Sequence, residues 1–174
     1  ITDLVSTRLG IEGVPVLRVA PRSPAAAAGL RAARIDDEGN FVPGDIIVRL
    51  DCDDSQEPGY IPSMIDKLGA GADVVITSRY QPGGGQTGVF GYRRFLSRAA
   101  GLFMKVMFPI RGVYDYSSGY RAYRWEILRD AIAVFGNRFI EQNHLGFSCT
   151  LEKLIKLHLL GARCAEVAHV LHYD

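Results

Sequence analysis

The sequence predicts an α/β fold in which a mostly parallel sheet is flanked by helices. Residues 45–50 and 72–80 are short apolar segments with the unbroken hydrophobicity of strands that are covered on both faces. Between these segments, apolar residues recur with the spacing of one helix face, namely Ile61, Met64, Ile65 and Leu68. A strand, a helix and a second strand in this order predict a right-handed crossover between two parallel strands.

The residues before this unit predict one more strand and one more helix. Residues 14–20 are rich in Val and predict a strand, whereas residues 25–33 are rich in Ala and predict a helix. Ser23 stands at the N-cap position of this helix and Pro24 at its first helical position. Residues 36–40 combine Asp, Gly and Asn, which is the composition of a turn.

The residues after the crossover predict three helices, a loop and a last strand. The spacing of apolar residues predicts helices over 91–108, 124–135 and 150–160. Residues 113–123 are polar and aromatic and predict a loop. Residues 163–173 predict the final strand of the sheet.

Composition and charge exclude several functional classes. The 20 Lys and Arg residues nearly balance the 19 Asp and Glu residues, so the net charge of +1 argues against a nucleic-acid partner. The 3 Cys residues are too few and too scattered for a disulfide scaffold or a zinc site. No apolar run reaches the roughly 18–20 residues of a membrane span. The chain begins at Ile1 without a signal-peptide pattern, which favours a trimmed segment of a longer protein.

Acidic residues follow the first strand of the predicted crossover. Asp51, Asp53 and Asp54 come directly after residues 45–50, and ligands of open α/β sheets bind at the carboxyl ends of the strands. Carboxylates spaced one residue apart suit a hard divalent cation, Mg²⁺ or Mn²⁺, which keeps positions open for phosphate oxygens. Such a cation neutralises charge on a departing nucleoside diphosphate. The alternative is a solvated acidic turn.

Basic residues follow the second strand. Arg79 ends residues 72–80 beside a Gly-rich loop. The first turns of the helix over 91–108 carry four further polar side chains: Arg93, Arg94, Ser97 and Arg98. Guanidinium groups and a hydroxyl group together suit a phosphate. The alternative is a set of solvated charges on a helix face.

Five segments with family-specific motifs follow one another over about three-quarters of the chain. They are GDIIVRLDCDDSQEPGYIPSMIDKL, GADVVITSRYQPGGG, GYRRFLSRAAGLFMKVMFP, DYSSGYRAYRWEIL and GFSCTLEKLIKLHLLGARCAEVAHVLHYD. From about residue 44 to residue 174, this ordered set resembles the family-2 glycosyltransferases of the polyprenyl-phosphate group, which are dolichyl-phosphate mannose synthase-like. The resemblance implies a GT-A-like (Rossmann-like) fold. It also implies a metal-dependent, inverting transfer of a sugar from a nucleotide-sugar to a polyprenyl phosphate.

The resemblance implies a donor site on matched positions. Asp51 and Asp53 would hold Mg²⁺ or Mn²⁺ together with the donor diphosphate, with Asp54 nearby. Ser118 and Arg121 belong to the segment that would line the sugar end of the cleft.

The resemblance also implies an acceptor site. Arg79, Arg93 and Ser97 match positions that hold the phosphate of the lipid acceptor, and together with Asp53 they are the predicted catalytic residues. Because a phosphate nucleophile is already anionic near neutral pH, the site needs positioning and charge stabilisation more than a strong base.

The helix over 91–108 has a second predicted role. Its residues 99–108 are apolar almost all round, and basic residues flank them: Arg93, Arg94, Arg98 and Arg111. That pattern is typical of an interfacial helix that brings an active site to a lipid phosphate. A cytoplasmic protein bound peripherally to a membrane surface is therefore expected. The alternative is an ordinary buried helix.

The first 50 residues depart from the family pattern. The Pro-Thr-Tyr-Asn-Glu-like and Asp-Asp-Gly-Ser-like motifs that build the nucleoside pocket are missing, so donor binding is expected to be impaired. Residues 9–50 also resemble the PDZ domain of HtrA/Deg-type proteases, which binds peptide C-termini. Residues 1–50 are thus expected to be a PDZ-like unit or a shortened nucleotide-binding half, and residues 51–174 the catalytic core. The alternatives are a peptide-binding module and an inactive or designed chimera.

Overall fold

The computed structural model describes the backbone of residues 14–15, 34–35, 37–38, 41–42, 44–50, 56–88, 91–141 and 148–172. In chain order the elements are β1 (Val14–Pro15), β2 (Arg34–Ile35), β3 (Phe41–Val42), β4 (Ile46–Arg49), α1 (Ile61–Gly69), β5 (Val74–Ser78), β6 (Gly85–Thr87), α2 (Gly91–Met107), β7 (Arg121–Arg124), α3 (Trp125–Phe135), α4 (Ser148–Leu159), β8 (Cys164–Ala168) and β9 (Val170–His172). Short 3₁₀ turns at Pro58–Tyr60 and Gly136–Arg138 precede α1 and follow α3.

Five strands form the main sheet in the order β1-β4-β7-β5-β8. β7 pairs antiparallel with both β4 and β5, so β4 and β5 run in the same direction. β8 pairs parallel with β5 and shares this direction, whereas β1 is antiparallel to β4. The predicted parallel relation of the two crossover strands is confirmed. They are not neighbours, however, because β7 lies between them.

Helices cover both faces of this sheet. Val75 of β5 packs in one core cluster with Met64 and Leu68 of α1. Val74 faces the other way and packs with residues of α3 and α4, among them Leu154. β5 is buried along its whole length. Burial on both faces therefore explains the unbroken hydrophobicity of this strand, and the α/β class is confirmed.

The parallel strands direct several loops to one edge of the sheet. β4, β5 and β8 all end at this edge, and β7 begins there, because Arg49 is paired with Arg121 and Ser78 with Ala168. The carboxyl ends of β4 and β5 and the amino end of β7 therefore lie on the same side of the sheet. This is the edge at which ligands of α/β sheets bind.

Two predicted boundaries are wrong. The loop predicted over 113–123 ends in β7, because Arg121 is a buried polar residue and hides the apolar pattern of a strand. The strand predicted over 163–173 is two strands, β8 and β9, which belong to different sheets. The break falls at His169, whose backbone N–H donates to the carbonyl of Ser78 and whose carbonyl accepts from Gly85.

The first part of the chain is described only in short pieces. β2 and β3 pair antiparallel around Asp37 and Glu38, as the turn composition predicts. The predicted strand over 14–20 is described at β1 alone, and the predicted helix over 25–33 lies outside the described residues. The PDZ-like resemblance lies largely outside them as well. Of its described strands, β1 and β4 belong to the five-stranded sheet, and β2 and β3 pair with each other.

Candidate functional site

An ion pair lies at the carboxyl edge of β5. Arg79, directly after this strand, donates from Nε to Asp115 Oδ2 at 2.8 Å and from Nη2 to Asp115 Oδ1 at 2.9 Å. The backbone N–H of Arg79 also donates to Oδ2, at 3.2 Å. The Arg79 side chain is 11% exposed and the Asp115 side chain is fully buried. Such two-point pairing fixes the plane of the guanidinium as well as its position.

Asp115 stays ionised in this arrangement. Burial acts to raise the pKa of its carboxyl, but the hydrogen bonds and the positive charge of Arg79 outweigh burial and hold the pKa below its ordinary value. Oδ1 also accepts from Ser117 Oγ at 3.0 Å and from the backbone N–H of Ser118 at 3.2 Å. The carboxylate therefore organises the loop before β7 at the same time as it holds Arg79.

The outer end of the Arg79 guanidinium meets neutral side chains. Nη2 donates to Ser117 Oγ at 2.6 Å, and Nη1 donates to Gln86 Oε1 at 3.4 Å. The second contact is long for a hydrogen bond between a guanidinium and an amide oxygen.

A cleft of about 240 Å³ lies beside this pair. Its α2 wall presents Ser97, Ala100, Gly101 and Met104, and the facing wall includes Asp115 and Ser117 from the loop before β7 together with Leu151 of α4. Ser97 Oγ and Tyr80 Oη are 2.9 Å apart and share a hydrogen bond. The cleft is thus polar at Ser97 and becomes apolar along α2 toward Met104.

Ser118 and Arg121 hold the loop before β7 in place. Ser118 Oγ is 3.1 Å from Thr77 Oγ1 of β5. Arg121 is fully buried, and its guanidinium donates to three backbone carbonyls, those of Ser118 at 2.8 Å, Tyr116 at 2.9 Å and Thr150 at 2.7 Å. Through these contacts Arg121 connects the loop before β7 to α4. Its predicted contact with the donor stays a prediction.

His169 lies at the same edge, after β8. It is 2% exposed, and its Nε2 atom has no hydrogen-bond partner. The rings of Tyr60 and Tyr120 meet the imidazole edge-on, with centroids 4.8 and 5.8 Å away. Burial lowers the pKa of His169, and the charge of Arg79 lowers it further. The imidazole is therefore neutral around pH 7.

The sequence reasoning assigned no role to Asp115 or His169. Asp115 stands in the segment 115–121 that carries the resemblance, but nothing in its local pattern pairs it with a residue 36 positions earlier. Among the described residues, no group of three or more His, Cys, Asp or Glu side chains could hold a metal ion.

The predicted metal ligands lie outside the described residues. Asp51, Asp53 and Asp54 follow β4, and the side chain of Arg93 is likewise outside the described part. The chemistry of these residues fits the predicted cation, because the carboxylates of Asp51 and Asp53 offer the hard oxygen ligands that Mg²⁺ or Mn²⁺ prefers. They follow β4, which ends at the same edge of the sheet as β5, the strand before Arg79. The predicted metal dependence would therefore rest on these aspartates.

α2 exposes a broad apolar surface. The exposed fractions are 65% for Leu102, 62% for Phe103 and 71% for Val106. Met104 alone among these neighbours packs against the core. The basic side chains of Arg98 and Lys105 are exposed on the same helix, and that of Arg111 just after it. The helix is thus not the ordinary buried helix of the alternative interpretation. No helix in the described part of the chain is long and apolar enough to cross a membrane.

Comparison with known proteins agrees with this architecture. The profile of the family "Glycosyl transferase family 2" matches residues 26–132. The chain is 37% identical over 83 residues to a polyprenol monophosphomannose synthase of Mycolicibacterium smegmatis. The aligned segment covers 48% of this chain and 31% of that protein. It is 33% identical over 114 residues to a dolichol-phosphate mannosyltransferase of Pyrococcus furiosus, which covers 65% of this chain and 30% of that protein.

A third relative matches over a longer stretch. The chain is 33% identical over 123 residues to an undecaprenyl-phosphate mannosyltransferase of Micrococcus luteus, which covers 71% of this chain and 47% of that protein. The chain thus spans between about a third and a half of the length of these relatives.

Proposed function

The chain belongs to glycosyl transferase family 2, and we propose that it transfers mannose from a nucleotide-sugar to a polyprenyl phosphate. The observation that carries the proposal is the oriented Arg79 guanidinium, whose partners Asp115 and Ser117 line the same cleft as Ser97. It lies at the edge where β4 leads into Asp51 and Asp53. The three relatives, each named for a polyprenyl- or dolichol-phosphate mannosyl transfer, support mannose as the sugar and a lipid phosphate as the acceptor.

The acceptor phosphate binds at the outer end of Arg79. It takes the place of Gln86 at Nη1 and accepts a hydrogen bond from Ser97 Oγ across the cleft, and Arg93 adds a second positive charge. Asp115 keeps the guanidinium from swinging away, because the pair is held at two points. The apolar continuation of the cleft, past Ala100 toward Met104, receives the first part of the polyprenyl chain.

Asp51 and Asp53 would hold Mg²⁺ or Mn²⁺ at the donor site. The ion, when bound, offsets the negative charge of the diphosphate. The aspartates follow β4 and Arg79 follows the parallel strand β5, so donor and acceptor reach the same edge of the sheet. Ser118 and Arg121 support the loop between them.

The transfer is a direct displacement with inversion. An oxygen of the acceptor phosphate forms a new bond to the anomeric carbon of mannose, while the bond from that carbon to the diphosphate breaks. The electron pair of the broken bond leaves with the nucleoside diphosphate. The nucleophile is already anionic, so Arg79 and Ser97 act by positioning it, and no proton has to be removed.

α2 brings this site to the lipid. Its exposed apolar side chains enter the headgroup boundary, and Arg98, Lys105 and Arg111 contact anionic headgroups. The Ser97 end of the cleft then faces the level at which lipid phosphates lie. We infer peripheral association with a membrane surface from this arrangement.

Calorimetry with nucleotide and metal tests the donor half of the proposal. The wild-type chain and Asp53→Asn are titrated with GDP and, separately, with UDP, each with and without Mn²⁺. We expect one nucleotide to bind in the presence of Mn²⁺ and this binding to be lost in Asp53→Asn. Binding of neither nucleotide, or equal binding by the variant, argues against the proposal.

A further inference from the structure

We propose that Glu166 is a positioning residue for the acceptor phosphate, acting through Asp115 and Arg79. The inference rests on the proposed function, because it assigns Glu166 a role in binding the same phosphate. Glu166 lies on β8 and is 8% exposed. No predicted site residue neighbours it in sequence, and its role follows from its contacts alone.

One carboxylate oxygen of Glu166 accepts two consecutive backbone N–H groups. Oε1 lies 2.6 Å from the amide nitrogen of Tyr114 and 2.7 Å from that of Asp115. Both contacts are short and join residues more than 50 positions apart in the chain. A buried N–H without an acceptor is costly, so these two bonds determine where the backbone of Asp115 lies.

The other oxygen reaches the loop on the opposite side of the ion pair. Oε2 accepts from Gln81 Nε2 at 3.1 Å, and Gln81 is two residues after Arg79. Glu166 therefore bonds to the backbone that carries Asp115 and to the loop that follows Arg79. The backbone of Glu166 belongs to the main sheet, where Glu166 is in register with Ile76 in the parallel β5–β8 pair.

This geometry links Glu166 to Arg79 without direct contact. If the backbone of Asp115 shifts, its carboxylate loses one of the two bonds that fix the guanidinium plane. Arg79 then presents Nη1 in several orientations instead of one, and a phosphate must order the side chain when it binds. The expected consequence is weaker phosphate binding in a folded protein.

Two conservative substitutions separate the role of Glu166 as a hydrogen-bond acceptor from the effect of its negative charge. Glu166→Gln keeps an oxygen at the Oε1 position but loses the charge, and Gln81 can turn its amide to meet the new group. Glu166→Asp keeps the charge but is one methylene shorter, so it cannot reach both N–H groups. If Glu166 acts as the acceptor of these two bonds, the Gln variant resembles wild type and the Asp variant does not.

The binding assay uses farnesyl phosphate as a short polyprenyl phosphate, with isothermal titration of wild type and both variants. We expect Glu166→Asp to weaken binding roughly tenfold, the effect of losing one charge-assisted hydrogen bond, and Glu166→Gln to change it by less than about threefold. Urea unfolding of each variant confirms that the protein titrated is folded. Wild-type affinity in Glu166→Asp, or a loss in Glu166→Gln as large as that in Glu166→Asp, overturns the inference.

Backbone amide hydrogen exchange gives a readout that does not depend on the ligand. We expect the amides of Tyr114 and Asp115 to exchange faster in Glu166→Asp than in wild type and to keep their protection in Glu166→Gln. If wild type does not bind farnesyl phosphate while this exchange pattern holds, the proposed acceptor is wrong although Glu166 positions the loop. If the exchange pattern is absent, the inference about Glu166 is wrong whatever the acceptor.

Discussion

Two hydrogen bonds, of 2.8 and 2.9 Å, join the guanidinium of Arg79 to the carboxylate of Asp115. They connect the end of β5 to the loop before β7. The pair places a positive charge at the edge of the sheet in one orientation. The buried carboxylate of Asp115 fixes the position of Arg79. Because the two charges compensate each other, loss of either side chain leaves the other with an uncompensated charge.

Asp115→Asn is expected to destabilise the protein by about 3 kcal/mol, because a nearly buried guanidinium loses its counter-charge. Urea unfolding followed by circular dichroism measures the change. Asp130→Asn is the matched control, since the Arg129–Asp130 pair has side chains that are 61% and 56% exposed. We expect this control to lose no more than about 1 kcal/mol. Equal losses of unfolding free energy in Asp115→Asn and Asp130→Asn would show that the buried pair contributes no more to stability than the exposed pair.

Gly84→Ala is expected to distort the loop beside Arg79. A Cβ atom at Gly84 would lie 2.5 Å from the Ser78 carbonyl oxygen and 3.1 Å from the Arg79 carbonyl carbon, both of which are backbone atoms that cannot turn aside. Gly85→Ala is the control, because a Cβ there meets nothing within 4 Å. We expect Gly84→Ala, and not Gly85→Ala, to weaken farnesyl phosphate binding and to lower the melting temperature. Indistinguishable variants contradict this account of the loop.

Replacing Leu102 and Phe103 together by Ser is expected to reduce binding to membranes, since both side chains are exposed on α2. Co-sedimentation with vesicles of anionic phospholipid measures the bound fraction. Val134→Ser on α3 is the control, as Val134 is 62% exposed but belongs to another helix. We expect the α2 variant to remain folded and in the supernatant and the α3 variant to sediment like wild type. If all three chains sediment equally, the apolar face of α2 does not dock on lipid.

The stability of the protein is expected to fall as the pH is lowered from about 7 to about 5. Burial and the charge of Arg79 lower the pKa of His169 below its ordinary 6.5, against the opposing charges of Asp115 and Glu57. Below the ordinary value the unfolded chain binds a proton that the folded chain does not, and the loss levels off once the pH passes the folded-state pKa. The pKa of Asp115 is also lowered, but from 3.8, so its effect begins at more acidic pH.

His169→Phe isolates this contribution. The variant keeps an aromatic ring between Tyr60 and Tyr120 but has no proton to bind. We expect its free energy of unfolding to depend less on pH between about 7 and about 5 than that of wild type. Urea unfolding at several pH values provides the comparison. A variant that retains the full wild-type slope shows that other groups cause it.

The sequence predicts those helices and strands that are encoded by the pattern of apolar residues within a short segment. The apolar runs of β4 and β5 and the spacing of Met64 and Leu68 in α1 depend on periodicity alone, and the structure confirms them. β7 was missed because its two neighbours in the sheet, β4 and β5, are distant in sequence and because Arg121 occupies a buried position on it.

The site is predictable only in part for the same reason. Arg79 and Ser97 could be singled out by residue type and by the resemblance, and the structure places them beside one cleft, Ser97 directly in its wall. The roles of Asp115 and Glu166 depend on contacts across 36 and 51 positions of the chain, which no local spacing reveals. The exposure of α2, too, is a property of packing, since an amphipathic pattern is compatible with either a buried or an exposed helix.

Transfer of radiolabelled mannose from GDP-mannose to undecaprenyl phosphate, extracted into organic solvent, tests the proposed function most directly. With Mn²⁺ present, we expect the wild-type chain to produce labelled lipid, and we expect Asp53→Asn, or removal of the metal with EDTA, to abolish the product. Arg79→Ala should reduce it, with the larger effect at low acceptor concentration. Labelled lipid that is formed equally by wild type and Asp53→Asn, or no labelled lipid from a wild-type chain that binds both substrates, would contradict the proposal.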